Sequence, residues 1–311
     1  MSVIDSIVEF EGSFPVNAGE CRDVPKFSME PGGEGNMLIA FTRLGGNAIP
    51  VGTCGSDSYG SFLVGALQNE GICTDGLFRD PDYKCAVSTC IRSSDGRHTF
   101  LTCEPKHTFH HQEEAFQFLD TCRALYLTGY NLYSKQLVFG SFGYELVKHA
   151  CENGIKVIFD TGPLLARIDP ADLEFVLSHA SVLAMNDEEA ELITGRPDPE
   201  QNALALSARY EGIIIVKAGR KGAFIAQNGE GNWHRGFPVE TVDTMGCGDC
   251  FLAGFSYGYL NGWSLDDCAS LANAEGAVKA SKKGTGTKVP YKAEIEKLLE
   301  ANGYDFPELK N

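Results

Sequence analysis

Positive charge is what this sequence has least of. Against 42 Asp and Glu stand 26 Lys and Arg, a formal net charge of −16 over 311 residues. So acidic a chain repels phosphate backbones and anionic bilayers, and neither nucleic acid nor membrane is expected as a partner. A site that takes a phosphate must then do so by local chemistry, with a metal ion to help. The start lacks a basic segment and a long apolar run, since Met1 is followed by Ser-Val-Ile-Asp, so no secretory signal is read. No stretch approaches the roughly eighteen apolar residues of a membrane helix. Repeats, low-complexity tracts and Pro-rich linkers are also missing, which favours one domain over residues 1–311. Cysteine, by contrast, is plentiful. Eleven are scattered from Cys21 to Cys268, and an odd number without a signal reads as reduced thiols in a cytoplasmic protein, most of them small buried hydrophobes.

From about residue 120 strands and helices alternate. "ALYLTGY" (124–130), "IKVIFD" (155–160), "SVLAMN" (181–186) and "GIIIVKAG" (212–219) are apolar runs rich in strand formers. Between them lie the helical patterns "SKQLVFGSFGYELVKHACENG" (134–154) and "DEEAELITG", from 187. Such runs bounded by helices predict an α/β, doubly wound, mostly parallel sheet flanked by helices. Two segments break the rhythm. "SIVEFEGSF" (6–14) alternates, and "CAVSTCIRSSDGRHTFLT" (85–102) reads as a hairpin turning at Ser94-Asp95-Gly96. They predict a small antiparallel β lid formed by about 6–30 and 84–103, with one face covered by something else.

The chemistry concentrates in "VDTMGCGDCFLAGF" (242–255). Gly246 and Gly248 open an apolar helix, where bare main-chain N–H groups and the helix dipole favour an anion. Asp249 in the first turn would repel a ligand that is merely bound, but suits a general base taking a proton from an attacking hydroxyl. The plainer alternative has the glycines permitting close packing and Asp249 capping the helix. Cys247 and Cys250 have C-x-x-C spacing, but no second pair completes a zinc site.

This segment closely resembles the C-terminal signature of the ribokinase-like (PfkB) carbohydrate kinase family. "PGGEGNMLIAFTRLGG" (31–46), "VGTCGSDSYG" (51–60), "NDEE" (186–189), "VKAGRKGAF" (216–224) and "NAEGAVKASKKGTGT" (273–287) resemble further family segments, in family order along almost the whole chain. The resemblance implies a ribokinase-like fold and an ATP-dependent kinase. It implies Asp249 as catalytic base, with Gly246, Cys247 and Gly248 offering amides to the transferring phosphoryl group. The Cys247 thiol is expected to be protonated or turned outward, since a thiolate there would repel phosphate. Asp5, Gly32, Gly33 and Asn36 are implied at the sugar. Asn186, Lys217, Gly219, Gly222, Asn273, Lys283 and Gly284 are implied at the nucleotide. Asn186 and Glu189 would organise Mg²⁺, largely through water, although the same pair reads locally as an N-cap and capping box. Asp160 would help to order metal and phosphates. Lys217 either reaches a phosphate or is a snorkelling surface lysine. Asp243 with Met245, Ala280 and Lys283 is where related kinases hold a monovalent cation, so K⁺ is a possible further cofactor.

The family usually has a whole strand before the position of Asp5, ending the first strand; here four residues precede it. Either Met1 is an internal methionine of a longer chain, or a central strand is absent and the sheet has a gap. Glu34 stands where relatives that use sugar phosphates often carry Lys, which favours a neutral sugar or polyol. Arg92, Arg97 and His98 on the lid leave an acidic sugar open. Phe10, Phe14 and Phe100 either stack on a nucleoside base or form the lid's apolar face or a homodimer contact. The alternatives are a nucleoside kinase of the same fold and a sugar-binding pseudokinase.

Overall fold

The computed structural model describes residues 2–103, 108–133 and 140–304. The chain opens with strands β1 (Ser2–Phe10) and β2 (Lys26–Gly33), followed by helix α1 (Glu34–Arg43). β3 (Gly52–Gly55), α2 (Ser58–Asn69) and β4 (Leu77–Asp80) come next, and the β5 (Val87–Ser93) and β6 (His98–Cys103) hairpin after them. The expected turn is present, with the Ser93 amide on the Arg97 carbonyl at 2.9 Å and Gly96 at φ +86°. Then α3 (Gln112–Asp120), β7 (Ala124–Thr128), α4 (Gly140–Glu152), β8 (Lys156–Asp160), α5 (Pro170–His179), β9 (Val182–Asn186) and α6 (Asp187–Thr194) alternate. The first six residues of the helix expected over 134–154 lie outside the described residues. α7 (Pro199–Ser207), β10 (Ile213–Lys217), β11 (Ala223–Gln227), β12 (Glu230–His234), α8 (Cys247–Leu260), α9 (Leu265–Ala280) and α10 (Lys292–Ala301) complete the chain.

β7 to β10 are parallel neighbours in the order β12-β11-β10-β9-β8-β7, with β11 and β12 added antiparallel at one edge. Both faces are buried. Along β10, Ile214 and Val216 pack into one apolar cluster, while Ile213 and Ile215 pack into another beneath α8 and α9. That two-sided burial is why these strands read as unbroken apolar runs. No helix among the described residues is long and apolar enough to cross a membrane.

The small sheet runs β2-β1-β5-β6. β1–β2 and β5–β6 are antiparallel, but β1 and β5 lie parallel, so it is mixed rather than wholly antiparallel. The two excursions leave the body in the same direction, and their first strands therefore pair side by side. Asp5 does not end a strand: it is the fourth residue of β1, which continues to Phe10. β3 and β4 form a separate parallel pair, and β7 is the edge of the six-stranded sheet.

Candidate active site

The four parallel strands each end in a polar residue. Thr128 closes β7 opposite Asp160 of β8, and Asn186 closes β9 opposite Lys217 of β10. Ligands of open α/β sheets bind beyond these carboxyl ends. A cavity of about 1080 Å³ lies there, lined by all four together with Asp5, Gly33, Glu34, Asn36, Gly219, Gly222, Asn273 and the Gly246–Asp249 turn.

At its centre stands the start of α8. Gly246 is the N-cap in the left-handed region, φ +77°, and no side chain caps the helix. A Cβ on Gly246 would stand 3.3 Å from the Asn36 amide, so glycine serves both the turn and the close approach. The Cys247 amide points back to the Thr244 carbonyl at 3.2 Å. Asp249 accepts a 2.8 Å hydrogen bond from Asn36 Nδ2, and the Asn36 Oδ1 accepts one from the Gly286 amide at 2.6 Å. One asparagine thus ties α1, α8 and the loop before α10 together. Asp249 is half-buried in the cavity wall, and desolvation there pushes its pKa up to about 7, against the Asn36 hydrogen bond that favours the carboxylate.

Lys217 is no surface lysine. Its ammonium bridges both oxygens of Asp160, at 2.9 and 2.8 Å, and would lie 3.2 Å from a Cβ placed on Gly248. The cation therefore sits beside the uncapped helix. Asp5 also lines the cavity and accepts from Thr285 Oγ1 at 2.8 Å; burial raises its pKa to about 6. Gly32 stays outside the lining. Its role is spatial, since a Cβ there would fall 2.1 Å from the Asp5 carboxyl carbon. Burial keeps the Cys247 thiol protonated, at about 11, and the thiol leans toward the Asp243 carbonyl at 3.7 Å. Cys250 is fully buried within α8, and all eleven cysteines are free.

Other expected residues have partners of their own. Lys283 turns away from the cavity to Glu9 on β1, at 2.6 Å, and the Gly284 amide binds the Asp243 carboxylate at 3.0 Å; neither lines the nucleotide space. Arg92 is held in a buried ion pair with Asp243 at 2.9 Å, and Arg97 pairs with Asp95 at 2.8 Å on the surface; neither lines the cavity. Of the aromatics, Phe100 lines the cavity. Phe10 and Phe14 pack edge to face, centroids 5.2 Å apart, around a separate hollow on the small sheet. Asn186 and Glu189 form the capping box: Asn186 Oδ1 accepts from the Glu189 amide at 2.7 Å, and Glu189 Oε2 from the Asn186 amide at 3.0 Å. No group of three His, Cys, Asp or Glu positioned to hold a metal occurs among the described residues. Asp160, Asn186 and Glu189 nevertheless line the cavity together, a donor set that fits Mg²⁺ retaining most of its water and held by substrate phosphates.

Part of the expected monovalent-cation shell is already engaged within the protein. The Ala280 carbonyl already accepts from the Val242 and Asp243 amides, at 2.7 and 3.1 Å. The Asp243 carbonyl accepts from Lys279 Nζ at 3.3 Å.

Sequence reasoning missed Ser88, Thr102, Thr128, Tyr130 and Phe237 in the lining. Thr128 had a usable signal, a polar residue closing an apolar run. The others face the cavity through tertiary placement of sheet edges and loops.

Fold and cavity together are those of an open α/β sheet with a ligand-sized cavity beyond its strand ends. The description of the pfkB family carbohydrate kinases matches residues 2–292, and the chain belongs to that family, phosphotransferases with an alcohol acceptor. It is 27% identical to the ribokinase of Haemophilus influenzae over 294 residues, 91% of each chain. The fold is shared with Arabidopsis thaliana ribokinase complexed with ribose and ATP (TM-score 0.80, 22% identity, 96% of each chain). It is shared too with Burkholderia thailandensis nucleoside kinase in complex with inosine (TM-score 0.77, 24% identity, 97% of this chain and 95% of that one).

Proposed function

We propose that the protein transfers the γ-phosphoryl group of ATP to a hydroxyl of a small neutral sugar or sugar-like polyol. The observation that carries this reading is the pairing of Asp249, a carboxylate whose pKa burial pushes up to about 7, with an uncapped glycine-opened helix terminus in one cavity. A base whose pKa lies near the working pH takes the hydroxyl proton as the oxygen attacks phosphorus. The phosphoryl group moves to that oxygen, and ADP leaves. The amides of Gly246, Cys247 and Gly248 face the equatorial oxygens, the Cys247 N–H exchanging its long bond to Thr244. Each donor so placed contributes typically about 3 kcal/mol to the transition state. Lys217 adds positive charge, and Asp160 holds it in place. Mg²⁺ on the phosphates, held through water by Asn186 and Glu189, would neutralise β- and γ-oxygens when bound.

Asp5, Asn36, Ser88 and Thr102 fit hydroxyls, while Gly219, Gly222 and Asn273 border the nucleotide. Glu34, buried and accepting from Thr128 Oγ1 at 2.8 Å, disfavours a phosphorylated acceptor. The small sheet acts as a lid whose closure excludes water. Its outer hollow of about 710 Å³, lined by Phe10, Phe14 and Ile91, is the surface for pairing with a second copy. Phe100 and Tyr130 in the main cavity favour a second reading, a nucleoside acceptor stacked on these rings. A coupled ADP assay across sugars and nucleosides separates the two. The test of the mechanism is Asp249→Asn: turnover is expected to fall at least about a hundredfold with ATP binding preserved. A near-normal rate removes Asp249 from the reaction.

A further inference from the structure

The kinase reading leaves one buried charge without a task. Lys279, in the last turn of α9, is completely buried, and among the described residues no carboxylate lies within ion-pair distance of it. An ammonium in such a place needs compensation, or its desolvation is costly. Here the compensation comes from main-chain oxygens: Nζ donates to the Asp243 carbonyl at 3.3 Å and to the Lys282 carbonyl at 3.2 Å. The negative end of the α9 dipole adds to it. Carbonyl oxygens around a fixed positive charge are how proteins hold a monovalent cation, and this chain fills that role with its own side chain.

The location gives the charge a function. Asp243 begins the turn that leads to Gly246 and α8. Its carboxylate accepts from the Met245 and Gly284 amides at 3.1 and 3.0 Å, and its carbonyl takes the Lys279 ammonium. The charge is felt at the site, since it opposes the rise that burial imposes on the Cys247 thiol. We infer that Lys279 is a positioning residue, a built-in monovalent cation that fixes the 243–248 turn, and that the enzyme therefore neither binds nor needs K⁺. The inference rests on the kinase reading only for its activity arm.

The experiment compares wild type and Lys279→Ala in KCl, NH₄Cl and choline chloride at equal ionic strength. It follows thermal unfolding and, separately, ADP formation with Mg·ATP and the accepted polyol. Wild type is expected to show the same melting temperature and rate in all three salts. Lys279→Ala is expected to lose about a hundredfold in rate in choline, the scale of a displaced catalytic turn. K⁺ and NH₄⁺ should restore its rate and raise its melting temperature in a concentration-dependent way. A K⁺-specific rise in wild-type melting temperature overturns the inference. So does a folded Lys279→Ala that ignores K⁺ and NH₄⁺. If Lys279→Ala is unfolded in choline, folding on addition of K⁺ supports the inference and failure to fold in any of the salts overturns it. The melting arm needs no turnover, so a failed kinase reading leaves it intact and shows separately as absent ADP.

Discussion

Asp249 and Asn36 show how far single residues could be read. Their types and motif positions pointed to one site, yet nothing in the sequence placed the Asn36 amide 2.8 Å from the Asp249 carboxylate, because the two lie 213 positions apart. Lys217 was open to two readings, a phosphate contact or a snorkelling surface lysine, and its ion pair with Asp160 sets the second aside. That hydrogen bond from Asn36 favours the ionised form of Asp249, so its loss raises the carboxylate pKa further. In wild type, kcat/KM is expected to rise with pH through about 7, where Asp249 ionises in the free enzyme. Asn36→Ala should move this limb to higher pH, beyond any change in KM for the polyol. A pH–rate profile of the two proteins checks this, and an unmoved limb would separate the limb from Asp249.

At the scale of elements, the apolar runs of β7 to β10 were legible because burial on both faces leaves no alternation to confuse the pattern. The pairing of β1 with β5 was not, because register between two distant excursions is set by tertiary packing. Helix pairing hid a further feature. Glu275 of α9 is fully buried against α8, and a Cβ on Gly254 would come within 2.7 Å of its Oε2. Neither oxygen has a hydrogen-bond partner among the described residues, and burial drives its pKa well above the ordinary 4.5. The folded protein keeps the proton that the unfolded chain releases. Stability therefore falls as pH rises above the unfolded pKa, by about 1.4 kcal/mol per pH unit, until the folded group also ionises. Glu275→Gln removes this slope. Its melting temperature relative to wild type is expected to climb steadily from pH 5 to pH 8, starting near zero. A difference that stays flat across that range would mean that Glu275 is ionised in the fold.

For the whole molecule, the acidic balance seen first in the sequence returns inside the cavity. The described lining holds six carboxylates (Asp5, Glu34, Asp160, Asp187, Glu189 and Asp249) against Lys217 and Arg220. Within a chain of formal net charge −16, this means that an approaching nucleotide anion is repelled until it reaches the amides and Lys217 at close range. Screening weakens the long-range repulsion, with a Debye length falling from about 30 Å at 0.01 M salt to about 10 Å at 0.1 M. The short-range contacts in the partly closed cavity are screened far less. Raising ionic strength over this range with choline chloride should therefore increase kcat/KM for Mg·ATP, the reverse of electrostatic steering. The neutral polyol feels no such field, and its kcat/KM at saturating nucleotide should stay constant. Initial rates varied in one substrate at a time resolve the two. A kcat/KM for Mg·ATP that falls with salt would mean that Lys217 and Arg220 govern the approach of the nucleotide over the acidic surface.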